Sequence, residues 1–417
     1  MTSGVVVTKS SPVVVRPSEL ELATLPPVGD TTVALPSFDR RVPPFSVTSL
    51  LVFDRAIDKP VETIKAALSR ALAHYLPIAG RLDSGAGIIT CTDEGVTCDL
   101  EDAMAAAPHQ TEDLALYYPG LLCRDANPLL LVQVTEFACG GFTVGVTSNH
   151  IVADGMGTAQ FLHAVAEVTH GVSPPSIVPV RHWDDGADYS SLTASPAIST
   201  PRSTIELEAR QRLARVDVVI PSSLIGRIKA AEHCTVLEAF MAVLWRCRTR
   251  AVTSHAADGS DRPALLNFAS IGQLVRLIRR AKEKVPELLL PGKPGGGGGA
   301  VPPEQVSRWY EMFNVTDWRN LGLHAVDFGS GVPARVLWHN ERTAVPFCVV
   351  CPARRKGTGT GDDDGVDVSS RFLKPEHADA FLAELAALAI GGVTRSNEKI
   401  RRWVVFPCAC AACLLCS

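Results

Sequence analysis

The chain has 417 residues, 46% of them hydrophobic and 20% charged, with a net charge of −4. That length accommodates two domains with substantial cores, and the charge offers no electrostatic footprint for nucleic acid, so no nucleic-acid partner is expected. No run approaches the roughly 20 apolar residues of a membrane span, and the Val run at 5–7, close to Lys9, is too short for a secretory core. The 12 cysteines are scattered along the chain, which fits reduced thiols in the cytosol better than a disulfide framework.

In chain order, Val runs at 5–7 and 13–15 flank a Ser-Ser-Pro turn and read as short strands. Residues 49–53 read as a buried strand. Asp58 then offers an N-cap with Pro60 in the first turn. Val61, Ile64, Leu68, Leu72 and Tyr75 follow at helical spacing, up to Pro77. His74, on that helix, reads as a packing residue. Residues 91–100 are strand-like. Residues 129–137 and 142–146 read as a hairpin turned at Gly140-Gly141, and a helical pattern at 158–169 is closed by Gly171.

Residues 173–201 are rich in Pro, Ser and Asp and read as a crossover. Beyond it, 216–220 read as a strand and 222–231 as a helix. Thr235-x-x-Glu238 is a capping box that opens a helix through Arg248. Residues 265–271 read as a strand and 274–284 as a basic amphipathic helix, with Leu277, Ile278 and Ala281 on one face. Its Arg276, Arg279, Arg280 and Lys282 read as a solvated face. The glycine run at 295–299 reads as a loop, because no Gly-Lys-Ser/Thr follows to make a phosphate cradle. Strands at 334–338, 346–351 and 366–370 and a helix at 375–388 complete the pattern.

The densest chemical signal is Asn149-His150-Ile151-Val152-Ala153-Asp154-Gly155-Met156-Gly157, where a buried strand gives way to a helix. His150 reads as a general base oriented by Asp154, with Gly155 allowing the turn. By spacing alone, a satisfied buried His beside an ordinary N-cap is the favoured reading. A metal pair fits less, because the His precedes the helix and no third ligand stands nearby. Ser148 lacks the Gly-x-Ser-x-Gly elbow of a nucleophile, and Cys139 reads as packing.

His150-Ile-Val-Ala-Asp154-Gly155 resembles the H-x-x-x-D-G motif of the plant BAHD acyltransferases, and Asp327-Phe328-Gly329-Ser330-Gly331 resembles that family's D-F-G-W-G motif. Leu72-Ala73-His74-Tyr75-Leu76-Pro77-Ile78-Ala79-Gly80-Arg81-Leu82 and Leu244-Trp245-Arg246-Cys247 are similar to further family segments. The resemblance implies an α/β fold of two chloramphenicol-acetyltransferase-like domains, each a mixed β-sheet with flanking helices. We expect these at residues 1–185 and 206–390, joined by a crossover linker at 186–205 and followed by an atypical Cys-rich tail at 391–417.

The implied activity moves a hydroxycinnamoyl, benzoyl or acetyl group from acyl-CoA, a co-substrate, to the hydroxyl or amine of a small-molecule acceptor. The implied site has His150 as base, no covalent intermediate and no metal. Asp154 would hold the loop through an Arg of the second domain. Asp327 belongs to the catalytic set as an architectural residue. Phe328, Gly329, Ser330 and Gly331, with Gly155, would shape the channel. Arg335 and the Arg354-Arg355-Lys356 loop are the basic candidates for CoA. A cytoplasmic monomer is expected.

The missing Trp, the missing Arg and an apparent deletion support an alternative, a catalytically weak or inactive homologue that only binds ligands. Ser330 replaces the Trp thought to help stabilise the oxyanion, a donor worth about 3 kcal/mol. Gly272 stands where the Arg partner of Asp154 belongs, and several tens of following residues have no counterpart here. The tail carries Cys408, Cys410, Cys413 and Cys416 in a spacing crowded for zinc. It reads as an extension outside both domains, with acylated anchoring as another possibility.

Overall fold

The computed structural model describes residues 6–9, 11–25, 32–36, 39, 44–91, 94–104, 111–120, 122–177, 179, 213–254, 270–288, 310, 313–340, 343, 346–353 and 365–390. In the first half the elements are β1 (Val6–Lys9), β2 (Val13–Val15), α1 (Glu19–Leu22), β3 (Thr32–Ala34), β4 (Ser46–Phe53), α2 (Pro60–His74) and α3 (Leu76–Ala79). They continue as β5 (Arg81–Asp83), β6 (Ile88–Thr90), β7 (Val96–Met104), β8 (Leu130–Phe137), β9 (Phe142–Asn149) and α4 (Gly155–Thr169). The second half gives β10 (Ala214–Arg215), β11 (Val218–Ile220), α5 (Ser222–Glu232), α6 (Val236–Ser254), α7 (Ile271–Leu288), β12 (Asn314–Asp317), β13 (Arg335–Trp338), β14 (Phe347–Val350), β15 (Val366–Leu373) and α8 (Pro375–Ile390).

The first sheet runs β1-β7-β8-β9-β4-β13, with β2 also paired to β7. The β8–β9 hairpin forms as expected, turning through Gly140 at φ 87°. A second sheet runs β10-β15-β14-β12, with β11 on β15, and β3, β6 and β5 make a small third sheet. One pairing crosses the halves: β13, from the second half of the sequence, lies antiparallel to β4, with Arg335 opposite Val52 and Trp338 opposite Ser49. The linker at 186–205 and the tail at 391–417 lie outside the described residues.

The apolar spacing of α2 and α4 explains their burial. Ile64, Leu68 and Leu72 of α2 and Phe161, Leu162 and Val165 of α4 pack on Leu51, Phe53, Phe142, Val144 and Val146 of the sheet. Phe328, Trp338 and Val349 from the second half join this core. A fully buried Phe or Leu contributes about 2 kcal/mol, so these residues weld the halves together. A second core gathers Phe240 and Leu244 of α6 with Leu274, Ile278, Phe372, Phe381 and Leu385.

Several expected details are corrected. Asp58 is not the cap of α2; Lys59 takes that place at φ 46° with no side-chain cap, and Asp58 instead accepts the Thr63 hydroxyl through its carbonyl. The helix stops at His74, and Pro77 sits inside the one-turn α3. The strand expected at 91–100 is β7, shifted to Val96–Met104 and parallel to β8.

The strand expected at 265–271 falls largely outside the described residues, but its end is helical. Ser270 and Gln273 make a second capping box, each side chain bonding the other's main-chain N–H at 3.2 and 2.7 Å. Among the described side chains of α7, Leu274, Val275 and Ile278 are buried with Gly272, while Leu277 and Ala281 are exposed. The basic face is partly paired. Arg279 and Lys282 reach the buried Glu238 at 3.3 and 2.9 Å. Glu238 closes the expected capping box with Thr235, whose N–H donates to it at 3.0 Å.

Candidate active site

Strand β9 delivers the motif. Its partner β4 is fixed along its whole length, from Ser46 opposite Asn149 to Phe53 opposite Phe142. At the Asn149 end the chain turns off the sheet. The Asn149 side-chain oxygen accepts from the Ile151 N–H at 3.1 Å, and its carbonyl accepts from the Val152 N–H at 3.1 Å. This local bonding competes with the ladder and ends the strand. His150 is held in the turn, its N–H donating to the Phe45 carbonyl at 3.0 Å.

The imidazole of His150 is half-buried and stacks on Phe45, with centroids 4.8 Å apart and planes 28° from parallel. Burial holds its pKa below the ordinary value, and the charge of Asp154 works in the opposite direction. The neutral, proton-accepting form is therefore favoured near neutral pH.

Asp154 is the N-cap of α4, its carboxylate accepting from the Gly157 N–H at 2.8 Å. No hydrogen bond joins it to the His150 ring, and no Arg or Lys pairs with it, among the described residues. The expected buried partnership is replaced by two simpler supports. Asp154 is exposed to solvent, and its charge sits at the positive end of a 15-residue helix. Burial and the charge of Asp154 together raise the pKa of Asp39. Gly155 packs against Leu321: a Cβ there would lie 2.6 Å from a methyl at the free end of that side chain.

Leu321 belongs to a segment that runs along α4. Trp318 enters the first core, while Arg319 forks onto Asp317 at 2.9 and 2.6 Å and lies over the Phe240 ring at 5.2 Å. The His163 ring meets the Gly322 carbonyl at 3.0 Å, and the His170 ring meets the Asp327 carbonyl at 3.0 Å. The segment thus follows the helix from its first turn to its last.

That path decides the second motif. Asp327 accepts the N–H groups of Gly329 and Gly331 at 2.7 and 2.8 Å. Gly329 and Gly331 adopt φ 113° and 90°, which other residues avoid. Phe328 is buried against Phe53, at the far end of β4. His150 stands before α4 and Asp327 beside its C-cap; at 1.5 Å per residue the 15 helical residues separate them by roughly 22 Å. Asp327, with Ser330 three residues on, thus lies toward the C-terminal end of α4, away from the turn that carries His150. Asp327 builds a turn that docks the second half onto α4 and β4. The Ser330 hydroxyl is buried with no hydrogen-bond partner among the described residues.

Arg335 lies in β13 and pairs with Asp367 of β15 at 3.6 Å, bridging the first and second sheets. Residues 354–356 lie outside the described residues. Cys139 is exposed at the hairpin turn, the opposite end of β9 from His150. Ser148 is buried, 3.5 Å from the Thr158 hydroxyl. Sequence reading missed Phe45, Leu321, His163 and His170; the only available signal was the seven-residue spacing of the two histidines along one helix face.

The Transferase family model matches residues 6–288. Acyl transferase 15 of Oryza sativa subsp. japonica is 36% identical, over 92% of this chain and 99% of its own. Myricetin 3-O-glucosyl 1,2-rhamnoside 6'-O-caffeoyltransferase of Crocosmia x crocosmiiflora is 27% identical, over 91% of this chain and 98% of its own. The rice alignment spans 455 positions but takes in 92% of 417 residues, about 384, so about 70 of its positions have no counterpart here. Vinorine synthase superposes with a TM-score of 0.66 at 17% identity, covering 92% of this chain and 98% of that one. With the mixed α/β architecture, the H-x-x-x-D-G turn and these matches together, the chain belongs to the plant BAHD family of acyl-CoA-dependent acyltransferases, enzymes that transfer groups other than aminoacyl groups.

Proposed function

We propose that the chain transfers an acyl group from acyl-CoA to the hydroxyl or amine of a small plant metabolite, with His150 as the general base. The observation that carries this is the half-buried His150 imidazole, presented from the end of β9 and kept neutral by its surroundings. Attack on a thioester requires the acceptor O–H or N–H to lose its proton as the new bond forms. A neutral imidazole takes that proton directly, and the thiolate of CoA leaves as the tetrahedral centre collapses. No side chain needs to become acylated. Asp154 caps the helix that follows and keeps the turn in shape; Asp327 acts at a distance, as the docking turn of the second half. Hydroxycinnamoyl, benzoyl and acetyl donors are the classes we assign, the first supported by the caffeoyltransferase likeness. No helix among the described residues is long and apolar enough to cross a membrane. We place the enzyme in the cytoplasm as a monomer.

A second reading, a homologue that binds ligands without turnover, is favoured by the absence of about 70 positions present in the rice relative. A thiol-release assay over a donor panel and pooled acceptors separates the two. Acceptor-dependent CoA release that vanishes in His150→Ala supports the transferase. Folded chain that releases no CoA above background with any pair supports the binding protein.

A further inference from the structure

The residue against the His150 ring comes from the segment just before β4. Phe45 stacks on that ring at 4.8 Å and also accepts the His150 main-chain N–H. Phe45 is itself braced from the other side: it bridges to Leu122, and the Cys123 N–H donates to the Pro44 carbonyl at 2.6 Å. Main-chain bonds fix the Cα of His150 but leave its side-chain torsions open. Asp154 does not close them: among the described residues no hydrogen bond joins its carboxylate to the ring, and its Oδ1 accepts the Gly157 N–H.

We propose that Phe45 is a positioning residue for acyl transfer: its ring sets the plane of the His150 imidazole and keeps water from one face of it. This rests on the reading of His150 as the base. The charged group acting on the imidazole is Asp154, and Asp39 lies beyond it, coupled to Asp154. Burial is the larger influence on His150 and disfavours its charged form. A smaller side chain at position 45 uncovers one ring face, so the imidazolium is hydrated better and its pKa rises. More of the base is then protonated just below neutrality, and what remains is less well aimed.

The test uses the full chain labelled with 13C,15N-histidine, the His150 signal being the one absent in His150→Ala. In Phe45→Leu the His150 titration moves up by about half a pH unit or more, about threefold in proton affinity, while Phe45→Tyr keeps the native value. With an accepted donor and acceptor, kcat/KM of Phe45→Leu falls about tenfold at neutral pH, its acidic limb moves to higher pH, and Phe45→Tyr restores both. Phe45→Met, closer in volume, repeats the test should Phe45→Leu melt early. Unchanged titration and limb in a folded Leu or Met variant overturn the proposal, as does a Tyr variant that behaves like Leu. If these variants are silent while His150→Ala is dead, this proposal fails and the base assignment stands. If His150→Ala turns over normally, both fail.

Discussion

Asp154 offers the sharpest division between a structural cap and a charged partner. Its side chain bonds the Gly157 N–H at the first turn of α4, and it is exposed. Asp154→Ala deletes that bond, at about 1 kcal/mol, and the favourable charge at the helix N-terminus, at about 0.5 kcal/mol. Asp154→Asn keeps an acceptor in the same place and loses only the charge. Thermal and urea unfolding should therefore rank the native chain just above Asn, with Ala lower by about 1 kcal/mol. The charge also acts on His150, favouring the imidazolium against burial. Removing it lowers the His150 pKa further, so the acidic limb of kcat/KM moves to lower pH in both variants. Activity in Asn should stay near native, and Ala should lose more, because the turn that carries His150 loosens. An Asn variant as unstable and as inactive as Ala, with the limb unmoved or moved upward, would refute the cap account and show that a cation holds Asp154.

Three further outcomes follow from the same geometry. Ser330→Ala removes a buried hydroxyl that has no partner among the described residues; melting should be unchanged or improved by up to about 1 kcal/mol, with kinetics unaltered, and a loss of kcat would return the second motif to the reaction. Gly155→Ala brings a Cβ against the free end of the Leu321 side chain, which can turn aside, and with the better helix propensity of Ala the net change in stability should stay within about 1 kcal/mol; strict additivity with Leu321→Ala in a double-mutant cycle would deny the contact. Glu238 is held at about 2, first by the Thr235 N–H and then by Lys282 and Arg279, against an ordinary value of 4.5. A depressed carboxylate gives stability that is present above 4.5 and lost as pH falls toward 2, so the melting advantage of native over Glu238→Gln should shrink across that window; a constant difference would deny the ion pairs.

The Arg expected near residue 272 is replaced by the start of α7, where Gly272 lies against the Glu232 carboxylate and a Cβ would fall 2.4 Å from its oxygens. A missing partner would be severe for a buried carboxylate. Asp154 avoids that penalty by standing in solvent.

The chain by itself determined whatever neighbouring residues decide. The β8–β9 hairpin, the capping box of Thr235 and Glu238, and the strand, turn and helix around His150 and Asp154 depend on contacts a few residues apart, so they were legible in order. The Ser270–Gln273 box was equally local and was masked by an apolar run that reads as a strand. Tertiary structure alone decided the rest. It placed β13 beside β4, turned Arg335 onto Asp367, set Phe45 on the His150 ring, and laid residues 317–331 along α4. That last packing puts the two motifs at opposite ends of one helix. Sequence spacing carries no record of it, because the distance between segments hundreds of residues apart is fixed by which faces they bury together.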